Sequence, residues 1–209
     1  MGAKAVSRLP ICLSLAFAFS LLAQPAHAQR SPLETANAVV QASLDRIAKG
    51  SPSWRAALEA IRGTARRAIV VTSDQVLVAD PATEGRMDRF DATVLAEVAP
   101  IPHPDSRVDV VLVVINLALL EESHRKARSV LSEFEADLDR ILVHEIYSHA
   151  VPYLLAGHLS GRCPDPAAGE RATDACSIRR ENAVRAELGL GRRTSHGLDD
   201  LNITRRPRR

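Results

Sequence analysis

The chain has 209 residues, 46% of them hydrophobic, with 27 basic side chains against 25 acidic and a formal net charge of +2. That apolar content excludes a disordered chain, and the near-balance of charge excludes a broadly basic nucleic-acid binder. The length suits one domain with a proper core.

Taken in order, the first segment reads as an address rather than as structure. Lys4 and Arg8 form a basic start, Ile11 to Ala23 an apolar core, and Ala26-His27-Ala28 a small-residue cleavage site. Residues 1–28 are therefore predicted to be a cleaved bacterial signal peptide, too short in its apolar run for a stable membrane anchor. Without Lys4 and Arg8 the mature chain balances at 25 basic and 25 acidic residues. The predicted location is the periplasm or the exterior. There an even pair of cysteines, Cys163 and Cys176, is expected to form a disulfide. Closing a loop of that length contributes about 3 kcal/mol in the chain-entropy model. Residues 204–209 form a basic tail, read as a solvated disordered terminus, and no nucleic-acid partner is expected.

Ser31, Pro32 and Glu34 make a capping box, and the apolar spacing that follows predicts a helix over residues 31–49 ended by Gly50. A second helix is expected from Ser51 to Gly63. The β-branched runs 68–72 and 75–79, split by Ser73-Asp74, predict a hairpin. Residues 92–98 are a further strand candidate, and Pro100, Pro102 and Pro104 mark a loop. Residues 108–115 form the strongest strand, rich enough in Val and Ile to be buried. Helices are predicted over 117–131, 133–143 and 177–188. The sum is an α+β domain over residues 29–203: a small mixed or antiparallel sheet of about three or four strands, packed against an active-site helix and a C-terminal ligand helix.

The chemistry concentrates in His144-Glu145-Ile-Tyr-Ser-His149. Neutral imidazoles are preferred zinc ligands, and a carboxylate beside one can act as general base toward water. The familiar spacing of such a pair is H-E-x-x-H, with the histidines one helical turn apart. Here they are five apart, which leaves their side chains about 140° apart on a regular α-helix. A one-residue π-bulge would return them to one face. Pro152 supplies a reason for one, because it lacks an N–H and its ring crowds the preceding turn; the bulge is predicted near residues 147–152. A third ligand is expected from Glu181, 32 residues beyond His149 on a later helix, with Glu187 and His158 next in order. Tyr147, Tyr153, His158 and Arg185 are candidates to stabilise a developing oxyanion, and Asn182 to orient a ligand imidazole.

A histidine–glutamate pair followed by a downstream helical glutamate resembles the pattern of gluzincin-type zinc metallopeptidases. The histidine spacing is similar to that of the dipeptidyl peptidase III family, H-E-x-x-G-H, with Ser148 standing where that family has glycine. Glu181-Asn-x-x-Arg185-x-Glu187 resembles the third-ligand helix of metallopeptidase-like domains in secreted bacterial effectors and toxin modules, which use the shorter H-E-x-x-H. The likeness spans about residues 130–190. It implies a zincin-like domain with His144, His149 and Glu181 as zinc ligands and Glu145 as the base. The expected function is an exported zinc-dependent hydrolase that activates water between zinc and Glu145 to cleave a peptide or amide bond of a peptide or protein substrate. The alternative is a metal-free periplasmic binding or structural protein, in which the helix runs unbroken through His149. A secreted toxin using the same site is a third reading.

Overall fold

The computed structural model describes residues 31–79, 87–158, 172–195 and 201–202. The predicted signal segment, Cys163 and the basic tail lie outside them. The other predicted half-cystine, Cys176, is buried.

The architecture is α+β, as the sequence implies. A four-stranded mixed sheet runs in the order β1 (Leu33–Thr35), β2 (Arg67–Thr72), β6 (Val108–Ile115), β5 (Ala96–Pro102). β1, β2 and β6 are mutually parallel, and β5 is antiparallel to β6 at the edge. A separate two-stranded hairpin pairs β3 (Val76–Ala79) with β4 (Met87–Asp91).

Alternation along the strands sorts two apolar layers. Ala68, Val70, Val98, Val111, Val113 and Ile115 join the main core under the helices. Val114, with Val71 and Leu112 beside it, packs on the hairpin's Val76 and Val78. β6 is covered on both faces, which explains its unbroken Val/Ile run.

Two expectations are corrected. The predicted hairpin of residues 68–79 does not form, because β2 is claimed by parallel partners on both sides and β3 pairs onward with β4. The predicted helix over 31–49 starts later. Leu33 is buried at the sheet edge opposite Ala68, and Ser31 accepts the Leu33 N–H instead of capping a helix. Helix α1 (Ala38–Gly50) is capped by Asn37, whose side-chain oxygen accepts from Val39 N (2.9 Å) and Val40 N (3.1 Å). Asn37→Ala is therefore expected to cost about 1 kcal/mol, read as a fall of a few degrees in melting temperature.

The remaining helices are α2 (Pro52–Arg62), α3 (Leu117–Ala127), α4 (Leu131–Leu142), α5 (Val151–Ala156) and α6 (Ala172–Glu187). Between α4 and α5 lies a π-helix, Val143–Ala150. The turn after β2, the loop before β5 and the start of α3 are pinned by one side chain. Asn116 donates to the carbonyls of Asp74 and Ala92 and accepts the N–H of Leu119. Among the described residues no helix is long and apolar enough to cross a membrane.

Candidate functional site

α4 presents Leu138, Ile141 and Leu142 to the core and continues without a break into the π-helix. The wider turn begins at Val143, slightly before the predicted bulge, and covers both histidines. It closes with the Val151 N–H on the carbonyl of Ile146, five residues back. Pro152 follows at once, in the first turn of α5, where its missing N–H is tolerated. Val143, Ile146 and Ala150 go inward, so core burial holds the widened register.

The widened turn brings the two imidazoles together. Their Nε2 atoms are 3.2 Å apart, with ring centroids at 4.7 Å and planes at 85°. Two ligands of a tetrahedral zinc, each at 2.0–2.1 Å, lie about 3.3–3.4 Å apart. The histidine pair therefore fits two positions around one ion. Among the described residues, however, no group of three or more His, Cys, Asp or Glu side chains gathers closely enough to hold a metal.

Glu181 takes a different place from the one predicted. Its Oε2 is 2.5 Å from Nδ1 of His144, the ring nitrogen opposite the Nε2 pair. Its oxygens also accept from Arg185 at 3.0 Å and Arg193 at 3.2 Å, and the side chain is fully buried. With Nδ1–H donating to this carboxylate, a neutral His144 keeps Nε2 unprotonated and turned toward His149. Carboxylates in this position fix the tautomer and angle of a metal-binding imidazole.

The support for Glu181 comes from the chain after α6. Gly189 and Gly191 adopt positive φ (67° and 70°) and turn the backbone back along the helix. Asn182 then clasps Arg193 through both amide atoms: its Nδ2 donates to the Arg193 carbonyl and its Oδ1 accepts the Arg193 N–H. Arg185 donates to the carbonyls of Leu190 and Gly191. Asn182 thus acts on the His144 imidazole indirectly, by holding Arg193 against Glu181.

The histidines open onto a cleft of about 460 Å³, walled by residues 93–98 on one side and by Arg140, His144, Glu145, His149 and Tyr153 on the other, with Arg193 and Leu201 at its end. Glu145 lines this cleft. Burial pushes its carboxyl up to about 8, Glu97 adds to the shift, Arg193 opposes it, and Glu181 adds a little more. Burial likewise raises Glu97, with the Val98 N–H holding it back. A cation in the cleft would favour the ionised form of both.

Of the other predicted residues, Tyr153 lines the cleft and the rest do not. Tyr147 stacks on Trp54 (6.3 Å between centroids) and lies against the Arg180 guanidinium (5.6 Å). His158 is exposed and bridges Arg107 through the backbone. Arg185 is sealed beneath Glu181. Glu187 accepts from Ser51 and Ser53 at the start of α2. Sequence reasoning missed Glu97, Arg140 and Arg193. Arg193 had a readable signal in the two glycines that reverse the chain; Glu97 is only one polar residue in a strand, and nothing local marks it.

The register itself makes a prediction. A π-turn holds one residue more than an α-turn, so deleting Ser148 should restore a regular helix with the histidines at the shorter spacing and the downstream residues in phase. The deletion loses the Ser148 hydroxyl's bond to the Ser177 carbonyl, worth about 1 kcal/mol. The deleted chain is expected to fold and to keep its histidines paired. Inserting an alanine after Tyr147 should separate them; metal titration of the two variants checks both.

The fold and cleft define an α+β protein with a paired-histidine site. No protein-family model, curated protein or solved structure matches this chain.

Proposed function

We propose that the protein is a zinc-dependent hydrolase of peptide or amide bonds that works after export. The observation that carries this reading is the 3.2 Å approach of the two Nε2 atoms at the wall of a cleft that also holds Glu145. His144 and His149 are the proposed protein ligands, and Glu181 is the carboxylate that orients His144. Bound zinc would supply Lewis acidity at that point. Glu145 takes the proton of the attacking water and returns it to the leaving amine. Tyr153, which lines the cleft, is the proposed donor to the developing negative charge.

An extended substrate has a place to lie. Leu95 accepts the Asn116 N–H at 2.7 Å, so residues 95, 97 and 99 turn their backbone groups toward β6, and Ala96, Val98 and Pro100 turn theirs outward. Ala96 and Val98 line the cleft and can pair with a substrate strand. Pro100 has no N–H to offer, which ends the pairing there and suits its edge position.

A metal-free binding protein is the competing reading, favoured by the lack of a third gathered ligand among the described residues. Titration of metal-free protein with zinc decides between them. The hydrolase reading expects one equivalent to bind in wild type and none in His149→Ala; no uptake by wild type would overturn it.

A further inference from the structure

Four charged side chains besides the histidines line the cleft: Arg140, Arg193, Glu97 and Glu145. Both cations are already engaged. Arg140 donates to the buried Asp137 at 2.6 Å, and Asp137 in turn is tied to the backbone of Asn202. Arg193 is bonded to Glu181 and to the Ser195 carbonyl. Glu145 sits next to His144 in sequence and is committed to the water in the reading above. Glu97 is different. Among the described residues it has no ion-pair partner, and its side chain accepts only the N–H of its neighbour Val98, at 3.3 Å.

That contact fixes where the carboxylate is. The backbone of Val98 faces outward from the edge of the sheet, so a carboxylate bonded to its N–H lies over the rim of β5, on the line a substrate strand would follow. A bound strand would displace it from the N–H and bring it alongside the substrate's own side chains. A half-buried carboxylate without a counter-ion gains most from a ligand that carries one.

We infer that Glu97 is a specificity residue that selects substrates bearing a positive charge, an ammonium or a guanidinium, next to the segment paired with Ala96 and Val98. The placement of that segment rests on the proposed hydrolase reading, but the recognition itself needs no metal. The partly buried position that raises the carboxyl also strengthens its pairing with a cation.

The test uses three tripeptide amides against the purified chain, zinc-free and zinc-loaded: acetyl-Ala-Lys-Ala-amide, its norleucine counterpart, and the norleucine peptide with a free α-amine. Calorimetry should find at least one cationic peptide binding about tenfold more tightly than the neutral one. Preference for the acetylated lysine peptide assigns the site to a basic side chain; preference for the free amine assigns it to a chain terminus. In Glu97→Gln the preference should vanish while zinc affinity stays as in wild type. Equal binding of all three peptides to wild type overturns the inference. So does a tenfold loss of zinc affinity in Glu97→Gln, which would place the carboxylate on the metal. Failure of the hydrolase reading looks different: wild type takes up no zinc, yet the preference for a cation persists.

Discussion

Glu181→Ala is expected to destabilise the fold by about 3–5 kcal/mol and, in whatever fraction remains folded, to weaken zinc binding by about 10–100-fold. The side chain is fully buried and is the common partner of three groups: Arg185, itself 1% exposed, Arg193 at 7%, and Nδ1 of His144. Alanine leaves two guanidinium charges facing each other across a vacated space. Their backbone acceptors at Leu190, Gly191 and Ser195 remain, but no negative charge does. Uncompensated buried charge is the costliest outcome of breaking such a pair. Glu181→Gln separates the two effects, since it keeps the volume and one accepting oxygen. Its unfolding midpoint in denaturant should fall less than that of the alanine variant, while zinc affinity still drops because the imidazole loses its anionic partner. If Glu181→Gln binds zinc as wild type does, the carboxylate does not tune His144.

The site was more legible in the sequence than the sheet that carries it. His144, Glu145, His149 and Pro152 fall within one short run, so their spacing alone pointed to a widened turn, and the π-helix at Val143–Ala150 supplies it slightly upstream of the predicted place. The placement differs because core side chains at Val143 and Ile146 hold the start of the wide turn, whereas proline constrains only where it ends. Glu181 is singled out as a third ligand by its helical position, whereas its carboxylate meets Nδ1 of His144, an outcome that a count of residues cannot foresee. That distinction is made by Arg193, brought back by a turn at Gly189 and Gly191. The β-strands show the same division. β6 was read correctly because burial on both faces leaves an unmistakable Val/Ile run. β1 was missed because three residues, only one of them buried, carry too little pattern to outweigh a capping box. β5 was placed early because Pro100 and Pro102 look like loop residues until the strand is known to be an edge.

Glu145→Gln is expected to lower hydrolysis by about 10²–10⁴-fold while leaving one zinc bound. The substitution keeps the shape of a side chain that lines the cleft beside the histidine pair but removes its ability to accept a proton. Stability should not suffer, because burial disfavours the carboxylate here and an amide carries no such penalty. The variant thus isolates the proton transfer from folding and from metal binding. Zinc lost together with activity would make Glu145 a ligand, and would supply the third donor that the described residues do not gather around His144 and His149. Activity kept with zinc bound would move the base elsewhere in the cleft, and Glu97 is the only other carboxylate among the described residues that line it. Measuring Glu97→Gln beside Glu145→Gln therefore assigns the two carboxylates: a base shows as a uniform loss on every substrate, a specificity residue as a loss confined to cationic ones.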